Sequence, residues 1–312
     1  MRFLNRRIGA LTARNNADSP HHGSALLLAL GLVIVVGCAD SETNQTVPPA
    51  DSSSHDTIQA TAGGAWTDER IHRELARTNP GYNNQAAFRL ENGQIIALQL
   101  TGAGVTNLTA IQDMKLQALD ARQCRIKDLT ALQGLPLLEL YLEETDVTDL
   151  TPLQGMPLQK LYLSMTPVRD LQPLAGAPIV ELNLVNTQVT DLTPLRGMPL
   201  KMLWLNETPV RDIAPLAGCP LVSLTLHRTL VDDLSPLTGS SLQRLHIAET
   251  PVTDLTPLKG LRLTRLVFNP ERIQTGLEVA RQMTTLRQIG TVLEEVMPPQ
   301  IFWATQDGSQ PQ

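Results

Sequence analysis

Seven aspartates recur every 21 residues: Asp128, Asp149, Asp170, Asp191, Asp212, Asp233 and Asp254. Stacked at that interval, their carboxylates could collect Ca²⁺, a cation that takes oxygen ligands. A structural use competes with this one. Asp149 precedes Thr151 by two residues, the offset of an Asx-turn onto a backbone N–H, and the other six aspartates copy it. We assign the column to the turn. A second set with chemical potential is His227 and His246, with Glu207 and Glu249 nearby. These could hold a metal or move a proton, but solvated polar residues on a sheet face also account for them. The chain has no Gly-rich phosphate loop, HRD, DFG, HExxH, GxSxG or CxxC motif. The sequence therefore predicts no enzyme, cofactor or metal.

The elements that hold these residues follow from one repeat. Variants of LxxLxL begin at 95, 116, 137, 158, 179, 200, 221, 242 and 263, nine frames of 21 residues. A fixed period of this kind means a solenoid. In the frame at Leu137, Leu140 and Leu142 are two apart, so they share one face of a short strand. Val147, Leu150 and Leu153 follow at a period of three, which suits a 3₁₀ turn better than an α-helix. Thr151 reads as its N-cap, with Pro152 in the first turn, and Gly155 reopens the chain for the next strand. Thr145, Thr166, Thr187, Thr208, Thr229 and Thr250 fill the ninth position, with Cys124 in the same slot one frame earlier. Their hydroxyls are expected to be buried and bonded to backbone in the turn. Cys124 and Cys219 lie at different points of coils four frames apart, too far for a disulfide.

Positions that the repeat leaves free are the informative ones. The third and fifth project away from the core, and the seventh and eighth extend that face. The fifth reads Tyr141, Tyr162, Asn183, Trp204, Thr225 and His246 in successive coils. Half of the chain's six Tyr and Trp fall in this column, and exposed aromatics on a rigid sheet are typical binding hot spots. Charge is sorted along the face as well: Glu139, Glu143 and Glu144 share one frame, while His227, Arg228, Arg244 and Arg265 lie in later ones. The candidate ligand-binding set is Tyr141, Tyr162, Asn183, Trp204, Thr225, His246, Glu139, Glu143, His227, Arg228 and Arg244, with the three large rings expected to be exposed. The partner expected is another protein or a peptide, with a glycan second. The alternative readings are a passive envelope lipoprotein without a specific ligand and, behind it, a regulatory partner of a Ser/Thr kinase system.

The "DLTPL" segment and the strand motif resemble the leucine-rich repeat, most closely its internalin type. The caps are similar to those of leucine-rich-repeat proteins from bacteria such as planctomycetes, some of which carry the module beside a Ser/Thr kinase. The resemblance spans residues 66–306 or so. It implies an α/β solenoid, a right-handed superhelix of strand and 3₁₀ coils with a parallel sheet on the concave face and a cap at each end. The chain departs from the usual internalin pattern in its 21-residue frame and in Thr where Asn is common, so no internalin partner is carried over.

The ends complete the organisation. Residues 25–37, "ALLLALGLVIVVG", are an uncharged run too short to span a bilayer, preceded by Arg2, Arg6, Arg7 and Arg14. With "VVGC" this resembles a lipoprotein signal, residues 1–37, in which Cys38 carries the lipid. Ala39 then favours an outer membrane of the bacterial envelope. Residues 38–65 are polar, with little to bury, and read as a flexible tether. Loss of residues 1–37 removes four Arg and one Asp, which takes the formal charge from −6 to −9. Such a chain is a poor nucleic-acid binder. Residues 66–94 form the first cap: a helix from Thr67, then a hairpin around Asn92–Gly93 whose second arm enters the repeats of 95–283. Residues 284–312 form the second cap, with Ile301, Phe302 and Trp303 as its plug. A monomer is expected.

Overall fold

A computed structural model describes residues 66–308. Eleven strands form one sheet in chain order. The first cap opens with α1 (Asp68–Thr78), whose N-cap Thr67 accepts a hydrogen bond from the Arg70 N–H at 3.3 Å. Its apolar stripe, Ile71 and Leu75, seals the end of the leucine core. Next, β1 (Ala87–Glu91) turns through Asn92–Gly93 into β2 (Gln94–Gln99), pairing antiparallel. Thus β2 is both a hairpin arm and the first repeat strand, and every later pairing is parallel.

Each coil contributes three residues to the sheet: β3 (Ala118–Asp120), β4 (Glu139–Tyr141), β5 (Lys160–Tyr162), β6 (Glu181–Asn183), β7 (Met202–Trp204), β8 (Ser223–Thr225), β9 (Arg244–His246) and β10 (Arg265–Val267). Leu140, Leu161, Leu182, Leu203, Leu224, Leu245 and Leu266 pair in register at the strand centres, all facing one core. The opposite wall of each coil is a 3₁₀ turn such as Thr151–Leu153, stacked on those of its neighbours.

Thr151 is not the N-cap. It is the first residue of the 3₁₀ turn, and the residue before it, Leu150, makes no side-chain cap. The capping oxygen belongs to Asp149, whose Oδ1 accepts from the Thr151 N–H at 2.8 Å. All seven column aspartates make this bond, at 2.7–2.8 Å. The Thr130 hydroxyl and N–H together hold the Asp128 carboxyl below its ordinary range. The six ninth-position threonines are buried, and each donates at 2.6–2.7 Å to the carbonyl three residues back. Cys124 donates to the Leu100 carbonyl from the same slot. It and Cys219 are buried free thiols.

One regular feature carried no residue signal. Gln123, Glu144, Met165, Asn186, Glu207, Arg228 and Glu249, the eighth positions, are left-handed with φ of 55–59°. Only Asn among these types suits that region. Coil-to-coil bonds hold it: the Glu144 N–H reaches the Ser164 carbonyl and the Glu207 N–H that of His227.

The far cap comprises α2 (Leu277–Gln282), a last strand β11 (Gln288–Gly290) and α3 (Pro299–Gln306). Phe302 is buried against Phe268, and Trp303 packs edge-on to Phe302 at 5.0 Å. Ile301, expected in the plug, is 43% exposed. On α3, Ile301 and Trp303 flank Phe302 on opposite sides, about 100° each way, and it is the Trp303 side that turns to Phe268. No helix among the described residues is long and apolar enough to cross a membrane. The signal segment, Cys38 and the tether lie outside the described residues.

Candidate recognition surface on the concave sheet face

The parallel register turns the fifth position into a continuous row, since Tyr141 pairs with Tyr162, Tyr162 with Asn183, Asn183 with Trp204, Trp204 with Thr225, and Thr225 with His246. Neighbouring strands stand ~4.8 Å apart, so side chains of successive coils touch. Tyr141 and Tyr162 lie with ring centroids 5.0 Å apart. Tyr162 also meets Trp204 at 5.8 Å, although Trp204 is two coils away. The short side chain of Asn183 lets the two larger rings lean together over it.

This crowding corrects the expectation of exposure. The rings of Tyr141, Tyr162 and Trp204 are half-buried, not free in solvent. Asn183 is 0% exposed, His246 6% and Glu143 7%. Alternation decides which face a strand residue takes, but it says nothing of neighbours arriving from coils 21 residues away. A small residue between large ones at that offset, Asn183 between Tyr162 and Trp204, is the signal that was there to read.

The face also contains polar partners of the rings and acids, of which Glu139 was in the candidate set and Glu181, Lys160, Arg122 and Asp120 were not. The Tyr141 hydroxyl donates to Glu139 Oε2 at 3.1 Å, and that of Tyr162 to Glu181 Oε2 at 2.8 Å. Burial, then these carboxylates, pushes both phenols above their ordinary range, so they remain neutral donors. Lys160 closes an ion pair with Glu139 at 3.1 Å. One coil below Tyr141, the Arg122 guanidinium grips the buried Asp120 through two bonds of 2.9 and 2.7 Å. Charges alternating at 21-residue steps in the third column, Glu139, Lys160 and Glu181, were the legible sign.

Farther along, His227 and His246 stack with centroids 4.9 Å apart. The His227 Nδ1 lies 3.1 Å from the Ala248 carbonyl, and its Nε2 lies 3.9 Å from Glu249. Burial, reinforced by His227, drives the His246 pKa down to about 4, so its ring is neutral. Arg228 bridges Glu249 and Glu207 at 2.8 and 3.3 Å, and Arg244 reaches the Ser223 hydroxyl at 3.3 Å. The candidate charges are therefore largely engaged with one another. Among the described residues, no cluster of three or more His, Cys, Asp or Glu is placed to hold a metal.

What distinguishes this face is unmet hydrogen bonding. Among the described residues, seven side chains bury a nitrogen or oxygen without a partner, and five of them stand in the fifth or seventh column. These are Thr101, Glu143 (Oε2), Asn183 (Nδ2), Thr225 and His246 (both nitrogens). Such groups are uncommon in folded proteins and cost about 1–3 kcal/mol each. None falls in the threonine or aspartate columns.

Solved structures share this architecture. An internalin C2 from Listeria monocytogenes superposes with a TM-score of 0.54 at 26% identity, covering 64% of this chain and 92% of its own. Another internalin of that organism, inlF, gives 0.53 at 24%, covering 70% and 74%, and bears on the fold alone. No family model and no curated protein sequence matches the chain. With the strand-and-3₁₀ coils, these likenesses make the chain a leucine-rich-repeat solenoid.

Proposed function

We propose that this chain is a non-enzymatic recognition module, anchored by a lipid on Cys38 to a bacterial envelope, that takes another protein or a peptide on its concave face. The carrying observation is the coincidence, on one face, of a three-ring stack and most of the buried unpartnered polar groups. Half-buried rings offer apolar area with little entropy left to lose, and the atoms without a protein partner become available to a ligand where their side chains turn outward. An internalin-like fold supports protein binding. The anchor is supported by "VVGC" and by the polar tether of 38–65, which would hold the solenoid roughly 30 Å from the bilayer.

Two experiments test the reading. Residues 66–312, tagged, are used to capture partners from envelope extracts of the source cells, beside Trp204→Ala and Tyr162→Ala. A specific partner should bind wild type about thirtyfold more tightly than either variant, the loss of a ~2 kcal/mol hot spot. Equal retention by all three would reject the face. Separately, Cys38→Ala should release the full chain from membranes or stall its processing. Wild-type fractionation of that variant would reject the anchor.

A further inference from the structure

The acids on the half of the face that carries the tyrosines are matched, with one exception. Asp120 is gripped by Arg122. Glu139 meets Lys160 and the Tyr141 hydroxyl, and Glu181 accepts from Tyr162. Even the exposed Glu144 accepts from the Gln123 amide at 3.3 Å. Glu143, in the seventh column and more than nine-tenths buried, leaves Oε2 without a partner. Its coil holds Tyr141, and the next coil along the stack holds Tyr162 and Ser164 in the matching positions.

The matched pair one coil below shows what this corner accommodates. There a guanidinium is held by a carboxylate while lying 6.0 Å from the Tyr141 ring centroid. A second such cation is lacking at Glu143. The charge balance points the same way: across coils 116–179 the face carries Asp120, Glu139, Glu143, Glu144 and Glu181 against Arg122 and Lys160. An acid-rich corner walled by tyrosine rings fits a cation with a flat or apolar stem, through a charge-assisted hydrogen bond and the ring quadrupole together.

Resting on the proposed role of this face, we propose that Glu143, flanked by Tyr141 and Tyr162, is the anchor for an arginine or lysine side chain of an extended peptide segment of the partner. A rotation of the Glu143 side chain presents Oε2 to the incoming cation. The Oε2 atom thereby exchanges burial without a hydrogen-bond partner for an ion pair, and the ring faces cover the stem of the guest residue.

The test is selection from a random dodecapeptide library displayed on phage, against the immobilised full-length chain. The expected result is a family of peptides sharing a basic residue at one position. Glu143→Gln, which keeps shape and removes charge, should weaken them at least tenfold. Replacing the peptide's basic residue by Gln should cost as much, and the two changes together should cost little more than either alone. Selected peptides without a shared basic position, or additive losses, would overturn the proposal. Trp204→Ala separates the two levels of inference. If it abolishes binding while Glu143→Gln does not, only the Glu143 anchor fails. If Trp204→Ala binds normally, or no peptide is selected, the recognition face fails with it. A thermal melt of Glu143→Gln matching or exceeding wild type confirms that any lost affinity is not lost folding.

Discussion

The threonine column on one side of each strand turn and the fifth column on the other both bury polar atoms, yet those atoms meet different fates. Thr208 is buried and bonds the Leu205 carbonyl at 2.6 Å, as its counterparts do in their own coils. Thr225, in the fifth column, buries its hydroxyl with no hydrogen-bond partner within the protein. The ninth position is satisfied by its own turn, so any coil can repeat the solution. The fifth position is covered by side chains of neighbouring coils, which differ from coil to coil and supply no fixed acceptor. Repetition therefore marks the scaffold, and the unrepeated column, where Asn183, Thr225 and His246 keep atoms without a protein partner, marks where a partner is expected to act.

The largest expected effect concerns the scaffold core. Leu203→Ala, at the centre of β7, should lower stability by about 2–5 kcal/mol in urea titration. A change as small as that of a surface substitution would mean that the coils do not share the continuous core described.

Next is Glu143, whose pKa burial drives up to about 7, with Asp120 and Glu144 adding to the rise while Arg122 and its own backbone N–H oppose it. A carboxyl raised in the folded state binds a proton that the unfolded chain, at about 4.3, has released. Stability is therefore lost as pH rises from about 4.5 through 7. Glu143→Gln should remove this loss and gain on the order of 2 kcal/mol at pH 8. His246 works in the other direction. Its depressed pKa means stability is lost as pH falls from 6.5 towards 4, so removing Glu143 should leave this slope exposed in the melts. A Glu143→Gln curve superimposing on wild type at all pH values would show that the carboxylate is not held unpartnered.

The smallest effect belongs to the aspartate column. Each Oδ1 already caps a turn, so millimolar Ca²⁺ should leave the melting temperature unchanged. A saturable upward shift would restore the column as a cation site.

Much of the scaffold was readable because its hydrogen bonds are local. The Asx-turn at Asp149, the cap at Thr67 and the hairpin at Asn92–Gly93 each depend on residues within a few positions of one another. The nine frames followed from a period that only stacking explains. The left-handed eighth positions were not readable, because Glu, Met, Gln and Arg there have no preference for that backbone and the coil-to-coil ladder imposes it. The candidate face was half readable. Alternation placed Tyr141, Tyr162 and Trp204 on it correctly, but the burial of Asn183, Glu143 and His246 arises from neighbours brought together by the register. Capping carried a smaller lesson: Thr151 looked like the cap, and Asp149 two residues earlier took the role.

The most direct test makes one chemical change at two places. Thr208→Val and Thr225→Val each replace a hydroxyl by a methyl of the same shape, and urea unfolding compares them. At Thr208 the change removes one of the two bonds to the Leu205 carbonyl, which keeps the Thr208 N–H at 3.2 Å, and should cost about 1 kcal/mol. At Thr225 it removes a group that has no partner, so stability should hold or rise by up to about 1 kcal/mol. Equal losses at both sites, or a larger loss at Thr225, would contradict the distinction between a satisfied scaffold and an unsatisfied face.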